Sequence, residues 1–213
     1  MIISKKHIGK SLFIALIMTL LFTNVYAQDP IKIMLYGDSL MAGYGLPQTE
    51  NLTSELTRNF KSNEPPIQFI NASISGNTSK NGLSRVDWSL GDKPSIVILC
   101  LGANDMLRGL DPSLTGNNLE QIINKFVENK SVVVLAGMKS PESMGAKYQL
   151  EFDSIYPELS KKYSLIMMPF LLEGVALEKD MLLADYKHPN AKGIKVMASN
   201  LKPYILEAIK KLD

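Results

Sequence analysis

Runs of apolar residues at 31–36, 67–72, 96–101, 132–136 and 165–170, each bounded by turn residues, limit the folds open to this chain more than any other feature. They are near-continuous rather than alternating, the pattern of strands buried on both faces. Between them, apolar residues recur at helical spacing. Leu52, Leu56 and Phe60 fall every four residues, and Leu119, Ile122, Ile123, Phe126 and Val127 form an amphipathic stripe. Phe152, Ile155, Tyr156 and Leu159 form another, and Ile194, Met197, Ala198, Leu201, Ile205 and Ile209 run down a last segment, which Pro203 is expected to kink. Strands alternating with helices need right-handed crossovers to bring each strand back parallel to the last. The expected fold is therefore α/β, a three-layer α/β/α sandwich around a five-stranded parallel sheet. In such a sheet, chemistry gathers beyond the carboxyl ends of the strands, near the point where strand order reverses.

The N-terminus reads differently. Lys5, Lys6 and Lys10 form a positive segment, residues 11–22 are an apolar run too short to span a bilayer, and Val25 and Ala27 supply small residues for cleavage. Residues 1–27 are expected to be a secretory signal, leaving one domain over 28–213 that is periplasmic or secreted and has no stable membrane anchor. Removing the three lysines of that segment from 23 Lys and Arg leaves 20 against 21 Asp and Glu, a net charge of −1. The basic balance of the chain thus belongs to the signal, and a nucleic-acid partner loses its main support. Cys100 is the single cysteine and lies inside an apolar run, where a buried small hydrophobe is the simplest reading. With one cysteine and one histidine outside the signal, no conventional metal site is expected.

The polar clusters at the strand ends carry the chemistry. They are Gly37-Asp38-Ser39-Leu40 after the first run, residues 71–77 after the second, Gly102-Ala103-Asn104-Asp105 after the third, and Asp185-Tyr186-Lys187-His188-Pro189 before the last helix. His7 belongs to the signal, so His188 is the default general base for any nucleophilic chemistry near neutral pH. Asp185, three residues earlier, is placed either to hold the imidazole Nδ1–H or to cap the following helix. Ser39 alone reads as a helix cap, and beside such a base as a nucleophile. Asp38 is expected to fix the turn beneath it, while Ser73 and Ser75 are rival nucleophiles. The backbone N–H groups of Ser39 and Gly76 and the side-chain amide of Asn104 are candidate donors to an oxyanion. No G-x-S-x-G elbow occurs, which argues against the common α/β-hydrolase fold.

Taken in order, these four blocks resemble those of the GDSL, or SGNH, hydrolase family, in particular its secreted bacterial arylesterases, acyl-CoA thioesterases and lysophospholipases. The resemblance implies a flavodoxin-like sandwich and no cofactor. Ser39, His188 and Asp185 stand in the places of the catalytic triad, and Ser39, Gly76 and Asn104 in those of the oxyanion hole. The implied activity is hydrolysis of a small-molecule ester, thioester or lysophospholipid by a monomer through an acyl-enzyme on Ser39. Leu107, Leu110 and residues 138–148 are expected to wall an acyl pocket, the last as a lid. An acetylesterase acting on cell-wall or other polysaccharide is the alternative, and it calls for an open polar groove. Alanine at Ser39, His188 or Asn104 and asparagine at Asp185 are expected to leave the melting temperature near wild type.

Overall fold

The structure, a computed structural model, describes residues 29–63 and 65–212. The signal expected over residues 1–27 and the cleavage point before Gln28 lie outside the described residues. Five strands, β1 (Ile31–Gly37), β2 (Ile67–Asn71), β3 (Ile96–Cys100), β4 (Val132–Ala136) and β5 (Ile166–Met168), form one parallel sheet in the order β2-β1-β3-β4-β5. Order reverses between β1 and β3, which opens a crevice at their carboxyl ends.

The apolar runs became strands for the reason their composition implies. Every residue of β3 is buried, as are Ile33–Tyr36 of β1. Strand β2 departs from the expectation of burial on both faces. It is an edge strand, and Gln68 and Asn71 are exposed. Cys100 is fully buried at the end of β3, and burial pushes its thiol pKa well up, consistent with a packing role.

The helices are α1 (Ser39–Ala42), α2 (Leu52–Asn59), α3 (Ser79–Ser89), α4 (Ala103–Leu107), α5 (Pro112–Glu128), α6 (Ala146–Tyr163) and α7 (Ala191–Ile209). The apolar stripes face the sheet in α2, α5, α6 and α7, although Val127 of the α5 stripe turns to solvent. Helix α7 runs unbroken through Pro203, and α6 through Pro157. The helix thus continues past Pro203, with Ile194, Met197, Leu201 and Ile205 buried along its length to offset one missing N–H.

Gly37 closes β1 against β3. A Cβ there would lie 2.7 Å from both the Cys100 carbonyl oxygen and Met41 Sδ, so only glycine lets the chain turn directly into α1. That turn delivers Ser39 to the crevice.

Candidate active site

Asp38 builds the turn. Its Oδ1 accepts the Leu40 N–H at 3.1 Å as the cap of α1, and its Oδ2 accepts from Asn104 Nδ2 at 3.3 Å. It is fully buried and makes no hydrogen bond to His188, in keeping with its expected place beneath the turn. Burial drives its pKa up to about 6, and the bonds to Leu40 and Asn104 offset only part of that rise. The sign of its effect on stability follows. Between about pH 4 and 6 the folded state keeps a proton the unfolded state has released, so stability falls as pH rises through that window. Asp38→Asn is expected to gain stability relative to wild type on going from pH 4 to pH 7, by about 2–3 kcal/mol, with no further gain above pH 7. Parallel denaturant titrations across pH check this; a difference that does not change with pH would contradict it.

Ser39, His188 and Asp185 come together from opposite ends of the chain. His188 Nε2 lies 2.8 Å from Ser39 Oγ, and His188 Nδ1 lies 2.6 Å from Asp185 Oδ2. An ionised carboxylate can only accept, so Asp185 holds the proton on Nδ1 and leaves Nε2 to accept from the Ser39 hydroxyl. Asp185 Oδ1 accepts the N–H groups of Lys187 and His188 at 2.9 and 3.0 Å, fixing the loop that carries the imidazole. Hydrogen bonds from the His188 ring, then from these two N–H groups, hold the Asp185 pKa down to about 2. Asp185 does not cap α7, whose cap is Asn190.

The rival serines separate cleanly. Ser73 Oγ donates to the Leu35 carbonyl at 2.9 Å, whereas Ser75 lies on the crevice wall and makes no hydrogen bond to His188. The residues of all three candidate donors line the same crevice. Ser39 opens α1 and Gly76 sits in a turn at φ +81°, and among the described residues neither N–H has a hydrogen-bond acceptor. Arg108 donates to the Gly76 carbonyl at 3.1 Å, holding the peptide that follows this N–H. The Asn104 amide donates to Asp38 and, at 3.1 Å, to the Asn77 carbonyl, so both of its hydrogens have partners before substrate arrives.

Several residues that shape the site escaped the sequence reading. Arg85 of α3 donates to Asn77 Oδ1, to the Ala72 carbonyl and to the Gly37 carbonyl at 2.8, 2.6 and 3.2 Å, and its guanidinium lies 4.0 Å from the centre of the Tyr36 ring. One planar fork thereby ties the end of β1 to the loop after β2. Asp105 accepts from Ser79 N and Oγ at 2.8 and 2.6 Å, fastening the start of α3 to α4. Tyr44 packs its ring against His188 with centroids 4.4 Å apart.

Beside Ser39 opens a cavity of 470 Å³, within the range of small-molecule sites. Its apolar walls include Met106, Leu107, Met138, Phe170, Leu172 and Ala176. Leu107 is where the sequence placed it. Leu110 is not on the wall; a turn through Gly109 at φ +62° carries it away, and its carbonyl accepts from Tyr148 Oη at 2.9 Å. Of residues 138–148 only Met138 and Lys139 reach the cavity. The ends of the segment are held, with Ser140 N donating to Asp153 at 2.8 Å, Gln149 donating to the Ser140 carbonyl at 2.9 Å and Tyr148 Oη donating to the Leu110 carbonyl, while residues 141–147 between them are largely exposed. Phe170, Leu172 and Ala176, beyond the end of β5, supply the wall instead. Among the described residues no three His, Cys, Asp or Glu side chains cluster as metal ligands would.

Known proteins match this arrangement over most of the chain. The model of the GDSL-like lipase/acylhydrolase family matches residues 35–196. An arylesterase of Vibrio mimicus is 35% identical over 164 residues, covering 76% of this chain and 82% of the relative. Thioesterase 1/protease 1/lysophospholipase L1 of Escherichia coli is 33% identical over 195 residues, 89% of this chain and 91% of the relative. The crystal structure of the psychrotrophic esterase EstA from Pseudoalteromonas sp., inhibited by monoethylphosphonate, superposes with a TM-score of 0.80 at 30% identity, covering 84% of this chain and 99% of that one. A doubly wound sheet whose strand ends carry the family's blocks in order, matched along this much of its length, has one reading: the chain belongs to the GDSL/SGNH hydrolase family and is an esterase.

Proposed function

We propose that this esterase cleaves carboxylic esters and thioesters of apolar acyl chains, lysophospholipids among them, through an acyl-enzyme on Ser39. The observation that carries the reading is the continuous chain from Asp185 through His188 to Ser39, at 2.6 and 2.8 Å, opening on an apolar cavity. His188 takes the Ser39 proton as Oγ bonds to the carbonyl carbon. The resulting oxyanion is met by the N–H groups of Ser39 and Gly76 and by Asn104, which gives up one of its resting contacts. His188 then returns the proton to the departing alcohol or thiol as the C–O or C–S bond breaks. Water repeats the sequence, with its proton passing through His188, and releases the acid.

The curated relatives carry arylesterase, thioesterase and lysophospholipase activity in their names, which supports the same substrate classes here. Apolar walls favour an acyl chain over a polysaccharide acetyl group, for which an open polar groove would be needed. The test uses protein from the periplasmic or secreted fraction, where a monomer beginning at Gln28 is the expected species by mass spectrometry and light scattering. Hydrolysis of p-nitrophenyl esters from C2 to C16 is expected to peak beyond C2, with a lysophospholipid and an acyl-CoA also cleaved. Activity confined to the acetyl ester would contradict the reading and favour the acetylesterase.

A further inference from the structure

Apolar side chains that the fold leaves in water occur on the cavity lining and next to lining residues in the chain. Tyr44 and Leu107 line the cavity and are 52% and 62% exposed. Ile74, Leu177 and Tyr186 are 49%, 93% and 64% exposed. Each of these three is the chain neighbour of a lining residue, respectively Ser75, Ala176 and Lys187, so its Cα lies about 3.8 Å from the Cα of that residue. Isolated exposed apolar residues are ordinary, whereas several gathered beside one cavity mark an interaction surface.

Backbone conformation gives a second, independent observation. Leu177 and Tyr186 hold φ at +70° and +55°, in the left-handed region that glycine and asparagine occupy with least strain. The chain thus carries a bulky apolar residue at two positions where neither backbone preference nor burial favours one. Packing within the molecule does not account for either choice.

The charges near these side chains indicate what covers them. Lys139 and Lys187 line the cavity, Arg108 adjoins Leu107, and all three are exposed; against them stand Glu178 beside Leu177 and Asp185 beside Tyr186, the latter held on the His188 ring. Among the described residues none of the three cations forms an ion pair. Unpaired cations interleaved with exposed aromatic and aliphatic side chains match the headgroup boundary of an anionic lipid layer. The position of these side chains selects the same occupant, since a protein seated there would close the cavity, while a lipid surface would feed it.

We propose that this face docks reversibly on an anionic lipid surface, with Leu177 and Tyr186 as its apolar anchors, so that acyl esters enter the cavity from the lipid. The proposal rests on the acyl-ester reading above, and its test is independent of turnover. Vesicles of ether-linked phosphatidylglycerol or phosphatidylcholine offer no carboxylic ester to hydrolyse. The exported protein is expected to cosediment with the phosphatidylglycerol vesicles at least tenfold more strongly than with phosphatidylcholine, and less so as salt rises. Leu177→Asn with Tyr186→Asn should abolish that binding. Leu177→Asn alone, outside the loop that carries His188, should weaken binding at least threefold, melt at or above wild type because asparagine suits the left-handed backbone, and hydrolyse dissolved p-nitrophenyl butyrate within about twofold of wild type. Lys139→Gln with Lys187→Gln should remove the preference for the anionic lipid.

Binding to neither vesicle, or binding untouched by the Leu177 and Tyr186 substitutions, would overturn the proposal. So would a dimer in light scattering that the double asparagine variant dissolves, because this face would then cover a second copy. Failure of wild type on p-nitrophenyl butyrate would instead count against the acyl-ester reading.

Discussion

Alanine at Ser39 or at His188 is expected to lower kcat by roughly 10⁴- to 10⁶-fold, and the double variant to fall little below either single one. The physical reason is that the two groups act in one event. Without the Nε2 acceptor at 2.8 Å, the Ser39 hydroxyl has no route for its proton; without the hydroxyl, the imidazole has nothing to activate. Residues contributing separately would instead multiply their losses. Asp185→Asn should be about 10- to 100-fold less severe, since the imidazole remains but its productive tautomer is no longer enforced. The amide oxygen of the substituted side chain can still take the Lys187 and His188 N–H groups, so the loop should hold its shape. Single-turnover hydrolysis of p-nitrophenyl acetate separates the acylation step from product release. Multiplicative losses in the double variant would contradict the shared-event account.

Asn104→Ala is expected to lower kcat by about 10²- to 10³-fold with KM changed less than about threefold, because its hydrogen bond strengthens as negative charge reaches the carbonyl oxygen. The structure changes one expectation about this variant. The sequence alone implies a melting temperature near wild type, but the Asn104 amide also serves the fully buried Asp38 carboxylate and the Asn77 carbonyl. Its removal leaves Asp38 Oδ2 without that donor, a loss of about 1–3 kcal/mol in stability. The two effects are separable, since kinetics well below the melting transition read the first and denaturant titration reads the second. A kcat within tenfold of wild type would remove Asn104 from the oxyanion site while leaving its structural contacts intact.

How much of this was legible in the sequence depended on whether residue type alone determined position. Strands β1, β3 and β4 declared themselves because each must bury both faces, so their composition is almost purely apolar. Helix α3 did not, because its buried positions are Ser79, Gly82, Val86 and Ser89. Small residues there let Tyr36 Oη reach the Gly82 carbonyl at 2.6 Å, and such a face has no apolar stripe to read. The triad was legible through scarcity, since His188 is the single histidine beyond residues 1–27. The cavity wall was not, because Phe170, Leu172 and Ala176 look like any core segment until the end of β5 turns them toward Ser39. Leu110 shows the converse. Its type suited an acyl pocket, but one left-handed glycine before it decided its direction.

The most direct test of the mechanism is fluorophosphonate labelling, with the adduct located by peptide mass spectrometry and followed against loss of activity. One label per chain on Ser39, absent from Ser39→Ala and strongly slowed in His188→Ala, is the expected result. A label on Ser73 or Ser75, or full inactivation with Ser39 unmodified, would contradict the assignment of the nucleophile and the acyl-enzyme with it.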